Sequence, residues 1–157
     1  MLYCRAAFTS TLCMLVLGCG VVSGQQARVN CSELITTFFR KPPKVQIADF
    51  TTYSLDDQYE IYICGSQRVH PPAMHLTQVF ASRGQAAVAL LKTKLLGAQD
   101  DRTIRDVIAV FVEMNRQGTY AVARDSDLVR LMAESVQRIK DPDWRRITER
   151  MLREVQG

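Results

Sequence analysis

Apolar residues recur along most of the chain at the three- and four-residue spacing of amphipathic helices, most densely from Asp101 to Gln117. There Ile104, Val107, Ile108, Val110, Phe111, Val112 and Met114 cover more than one stripe. Such a helix is expected to be enclosed by other helices. Asp100 or Asp101 offers a cap for its first turn, and Gly118 stands where a left-handed residue would end it.

Shorter patterns precede it. Cys31 to Phe39 reads as a short helix with Asn30 or Ser32 as cap and Leu34, Ile35, Phe38 and Phe39 on its face. Arg40-Lys41-Pro42-Pro43-Lys44 is expected to stop it, as a solvated loop or a basic contact. Val45 to Tyr53 is expected to be irregular or a short strand. Ser54 opens the next unit, where Leu55, Tyr59, Tyr62 and Ile63 share a helical face. The run Tyr59 to Cys64 also has strand propensity, so 45–64 is open between helix and hairpin, with helix favoured because a lone hairpin has no sheet to join. His70-Pro71-Pro72 restarts the chain as a helix carrying Ala73, Leu76, Val79 and Phe80 up to Gly84. Gln85 to Leu96 has a stripe of Val88, Leu91 and Leu95. After Gly118, Asp125 or Ser126 caps a helix with Leu128, Met132, Val136 and Ile139. Asp141 and Pro142 start the last one, whose expected buried line is Trp144, Ile147, Met151 and Val155.

These units pair: Leu55 with Pro72, Gln85 with Asp101, and Ser126 with Pro142, with starts 17, 16 and 16 residues apart. The predicted class is all-α, built either of stacked antiparallel helical hairpins or as an irregular helical bundle. The paired stretch resembles HEAT-like repeats in architecture, although its steps of 30 and 41 residues depart from that family's period of about 40–47. With Tyr59-Glu-Ile61-Tyr62, His70-Pro71-Pro72 and the Asp100 to Asp106 run, the layout also resembles small exported, lipoprotein-like bacterial sequences. Neither resemblance implies an activity.

Composition adds the export argument. Met1 to Gly24 has a basic start at Arg5, an apolar run densest from Leu12 to Leu17, and small residues after it, as a cleavable signal peptide does. The run falls short of the roughly 20 apolar residues of a transmembrane helix. Two processing schemes stay open: cleavage after Gly24, or lipidation at Cys19 within a Val16-Leu17-Gly18-Cys19 stretch that resembles a lipobox. Either leaves residues 25–157 as one helical domain behind a short tether. Cys4, Cys13 and Cys19 fall in the signal, and Cys31 and Cys64 remain as an even pair in an oxidising compartment. They are expected to form a disulfide, the alternative being two free buried thiols. The formal net charge of +4 is spread along the chain, which argues against nucleic acid as a partner.

No motif for catalysis, cofactor or metal stands out, and none is expected. His70 and His75 are five residues apart, which does not put both on one face of a continuous helix, and no cysteine or carboxylate pair adjoins them. His70 is expected to shape the turn and His75 to point to solvent. Two function classes follow. The first is an exported, non-enzymatic helical protein, periplasmic or held to the membrane through a lipidated Cys19, that binds an as yet unknown protein partner in the cell envelope. The second is a small-ligand carrier or enzyme with a cleft near Tyr53, Tyr59, Tyr62, His70 and His75.

Overall fold

The computed structural model describes residues 29–157; Met1 to Gly24, with Cys19, lies outside the described residues. Among those described there are eight α-helices, one short 3-10 turn at Val122–Arg124 and no strand. In chain order the helices are α1 (Cys31–Thr36), α2 (Pro43–Phe50), α3 (Leu55–Arg68), α4 (His75–Ala81), α5 (Gln85–Gly97), α6 (Asp101–Gln117), α7 (Ser126–Gln137) and α8 (Pro142–Gln156). No described helix is long and apolar enough to cross a membrane.

Helix ends follow local chemistry. Side chains of Asn30, Ser54, Asp100, Asp125 and Asp141 accept backbone N–H bonds at the starts of α1, α3, α6, α7 and α8. Gly118 closes α6 in the left-handed region at φ 68°. Gly84, between α4 and α5, has φ 51°, and a Cβ there would lie 2.5 Å from the Thr119 carbonyl oxygen. Only glycine fits both the conformation and that approach.

The helices contact one another in two interleaved series: α1, α3, α5 and α7 in succession, and α2, α4, α6 and α8 in succession. Within the chain order α3 packs on α4, α5 on α6 and α7 on α8. Helix α6 touches α3, α4, α5, α7 and α8, and Ile104, Val107, Ile108, Val110, Phe111 and Met114 are all buried. Its many apolar positions are therefore the consequence of neighbours on several sides.

Four expectations need correction. Val45 to Tyr53 is neither irregular nor a strand: α2 begins at Pro43, whose fixed φ suits a first helical position, and the hairpin alternative for 45–64 is excluded by α2 and α3. The first helix ends at Thr36, where the Thr36 and Thr37 hydroxyls both bond to the Glu33 carbonyl. After the His70–Pro71 bond, which is cis, α4 starts at His75 rather than at Pro72. On α8 the buried line is Thr148, Leu152 and Val155, while Trp144 and Met151 are half-buried and Ile147 is 37% exposed. Thr148 is tolerated inside because its hydroxyl donates to the Trp144 carbonyl at 2.7 Å.

Polar ties join successive helices within each series. Arg138 donates to the carbonyls of Leu95, Leu96 and Ala98 and so caps the end of α5 from α7. The Asp101 carboxylate accepts from the N–H groups of Lys140 and Asp141, and these two bonds hold its pKa below the usual carboxylate value. Asp125 accepts from Lys92 Nζ at 2.7 Å, Tyr120 Oη at 2.5 Å and Leu128 N at 2.9 Å. Lys92 first, then the Tyr120 hydroxyl, holds its carboxyl down to about 2.

The depressed Asp125 value fixes the sign of a pH effect. Its stabilising contribution is complete above the unfolded value of about 3.9 and is lost as pH falls through the folded one. Asp125→Asn is therefore expected to lower stability at pH 7 and to flatten the acid loss between about pH 4 and pH 2. Urea unfolding across that range checks it. Acid limbs that superimpose for both proteins would remove Asp125 as a contributor.

Candidate functional site

The even-numbered series leaves a shallow groove of about 360 Å³ across α4, α6 and α8. Its apolar part is Met74, Ala109, Val112 and Met151, and its polar margin includes Gln78, Glu113, Arg116 and Glu154. Ala109 and Val112 belong to a stripe of α6 that the buried side of the same helix leaves facing outward; both are half-buried. Met74 is 58% exposed, the second most exposed large apolar side chain described. Methionine adapts its shape to what it meets, and exposed methionines beside small residues suit a docking surface. Across the margin Glu113 is held by Arg116 and Gln117.

Beneath this groove lies a buried polar knot. The Tyr62 hydroxyl donates to the Asp106 carbonyl at 2.9 Å, and burial pushes the phenol pKa up. The hydroxyls of Ser66 and Thr77 adjoin the Tyr62 phenol and pull slightly the other way, yet neither makes a hydrogen bond of good geometry. The Asp106 carboxylate is 3% exposed, and burial raises its pKa against the pull of Arg105 and Gln67. Gln67 donates to Asp106 at 3.0 Å and to Thr103 at 3.1 Å, while the Arg105 guanidinium pairs with Asp106 and lies 4.4 Å over the Trp144 ring. These groups tie α3, α6 and α8 together. Thr77 borders the groove and Trp144 a hollow beside Asp101 and Lys140, but Tyr62 and Asp106 line none of these openings, so their shifted pKa values report burial and packing.

The residues proposed from sequence for a ligand cleft do not assemble. Tyr62 is buried, and Tyr59 lies under Lys94 Nζ at 4.4 Å, its hydroxyl pushed up to about 12 chiefly by burial. Tyr53 stacks edge-on against Phe38. His70 and His75 line a separate hollow of about 310 Å³ with Phe39, Lys41, Gln46 and the prolines, and neither Tyr59 nor Tyr62 borders it. His75 does not simply face solvent; it is half-buried and bonded to Gln46. Another hollow, beside Val29, is lined by Asp56, Asp57, Glu60 and Lys94, with Lys94 already paired to Asp56 and Glu60. No group of three or more His, Cys, Asp or Glu side chains among the described residues is placed to hold a metal ion.

Cys31 and Cys64 stand at disulfide distance, their Cα atoms 5.6 Å apart. The link joins the start of α1 to α3 at the residue before Gly65. At Gly65 an added Cβ would meet the Phe39 ring at 2.8 Å, so α1 and the chain after it press on α3 at two adjacent residues. The groove was not legible in the sequence. Val112 and Met151 read there as ordinary core positions, and only the relation of three helices leaves them partly open.

Comparison with protein-family models, with curated proteins and with solved structures finds no match for this chain.

Proposed function

We propose that the protein is a non-enzymatic binding or scaffold protein that receives a protein partner in the groove across α4, α6 and α8. The observation that carries this reading is the groove itself: adaptable apolar side chains, Met74, Val112 and Met151, around the small Ala109, with charged groups kept to the margin. An apolar centre with a polar rim is how protein interfaces are commonly built. The alternation of contacts between odd and even helices supports a HEAT-like stack, a form whose extended surfaces serve binding. The leader-like composition of residues 1–24 and the Cys31–Cys64 pair favour export to the cell envelope, with Cys19 as a candidate lipid anchor.

A charge at the groove's centre should abolish capture without unfolding the domain. Val112→Glu is half-buried at the surface, so its carboxylate reaches water in the free protein but is stranded against an apolar partner. Crosslinked capture from envelope extract is expected to recover a partner with the wild-type chain and to lose at least tenfold of it with Val112→Glu. Equal recovery by both chains, with unchanged circular dichroism, would place the binding surface elsewhere.

A further inference from the structure

The sequence holds two histidines, and both line the hollow between α2, the turn at His70–Ala73 and the start of α4. The tautomer of one of them follows from its neighbour. Gln46 is 5% exposed, and its amide nitrogen donates to the Lys41 carbonyl at 2.7 Å and towards the Phe39 carbonyl at 3.4 Å. That leaves Gln46 Oε1, a pure acceptor, 2.9 Å from His75 Nε2. His75 Nε2 must therefore carry the proton, and in the neutral ring Nδ1 holds a bare lone pair. Among the described residues Nδ1 has no hydrogen-bond partner, and it is not among the buried polar atoms left without one, which are Ser66 Oγ and Thr77 Oγ1. It is thus not fully enclosed. A ring held by its second nitrogen on an amide or carbonyl oxygen is the arrangement that orients metal-ligating histidines.

We propose that this hollow binds a divalent transition-metal ion of the imidazole-preferring kind, zinc foremost, through His75 Nδ1 and the ring of His70, with water completing its shell. No carboxylate lines the hollow, so calcium and magnesium find no hard oxygen ligands there. Lys41 is the lining cation, and Asp49 neutralises it at 2.7 Å. His70 is exposed and borders the same hollow. Two protein ligands make an open site, unlike the closed four-ligand sites that hold folds together. Gln46 is a positioning residue: it touches no metal and sets which nitrogen of His75 is bare. The site is independent of the groove on α4, α6 and α8.

Histidine-labelled, untagged full chain titrated with zinc tests this, read through the ring nitrogens by NMR. The metal-free spectrum is expected to show His75 as the Nε2–H tautomer. Zinc should then shift both rings together and saturate at one equivalent. His70→Ala or His75→Ala should weaken the affinity at the remaining ring at least tenfold. Gln46→Ala should weaken it several-fold and mix the His75 tautomers. The ring signals exclude zinc taken up by Cys4, Cys13 and Cys19, which are common to every variant. An Nδ1–H tautomer for His75, rings that do not respond to zinc, or a His75 response unchanged in His70→Ala would overturn the proposal. His70 is exposed, so His70→Ala keeps the test decisive even if changes at His75 or Gln46 perturb folding.

Discussion

Phe111→Ala is expected to cost about 3–5 kcal/mol of stability, the range for removing an enclosed aromatic ring. The side chain is 0% exposed, at the middle of a helix that touches five others. The loss has two parts. The ring's transfer free energy disappears, and the surrounding core closes only partly on the cavity. For a domain whose whole stability is of order 5–15 kcal/mol, such a loss leaves a substantial unfolded fraction at moderate temperature. Urea unfolding of both proteins measures it. A midpoint within experimental error of the wild type would mean that Phe111 is not enclosed and that α6 is not the centre of the array.

Removing the Cys31–Cys64 link is expected to be nearly as costly. Closing a loop of about 34 residues is worth roughly 3.7 kcal/mol on the chain-entropy model. The loss should also be local before it is global. Helix α1 has six residues, too few to stand without packing or a tether. It contributes Leu34 to the core, with Phe38 following it, whereas α6 is held from several sides. Under reductant, hydrogen exchange should rise first across Cys31 to Phe39 while Asp101 to Gln117 stays protected. Peptide-mapped thiol labelling of unreduced protein produced in an oxidising compartment should leave Cys31 and Cys64 unmodified. Labelling at both, or exchange that rises together in α1 and α6, would refute the tethering role.

What could be read from the sequence was chiefly what single residues impose on backbone. Asp100, Asp125 and Asp141 cap helices because a short acidic side chain reaches the free N–H groups of the first turn. Gly118 ends α6 because only it takes the left-handed conformation cheaply. The stripes of α5 and α7 also held, since Val88, Leu91, Leu95, Leu128, Met132 and Val136 are all buried; Ile139 is buried too, but beyond the end of α7 at Gln137.

What failed depended on pairs of elements. Helix α2 was hidden because its buried residues include Gln46, which is satisfied by backbone carbonyls of the preceding loop and so needs no apolar character. The prolines before it also looked like an ending, when Pro43 is a beginning. The face of α8 was misjudged by about one residue, because Thr148 can be buried once its hydroxyl bonds within the helix. No pattern in the sequence singles out Arg138, yet it closes the end of α5. The groove, the histidine hollow and the separation of Tyr62 from His70 are all relations between helices, and no local pattern encodes them.

The most direct test of the binding account is a photo-crosslinking residue placed singly at Val112, in the groove, and at Leu96, which is 62% exposed and does not border it. Each full chain is expressed in a bacterial envelope and irradiated, and adducts are separated by mass. The account predicts a discrete protein adduct from position 112 and none of that mass from position 96. The same adduct from both positions, or none from position 112 while position 96 reacts, would contradict it.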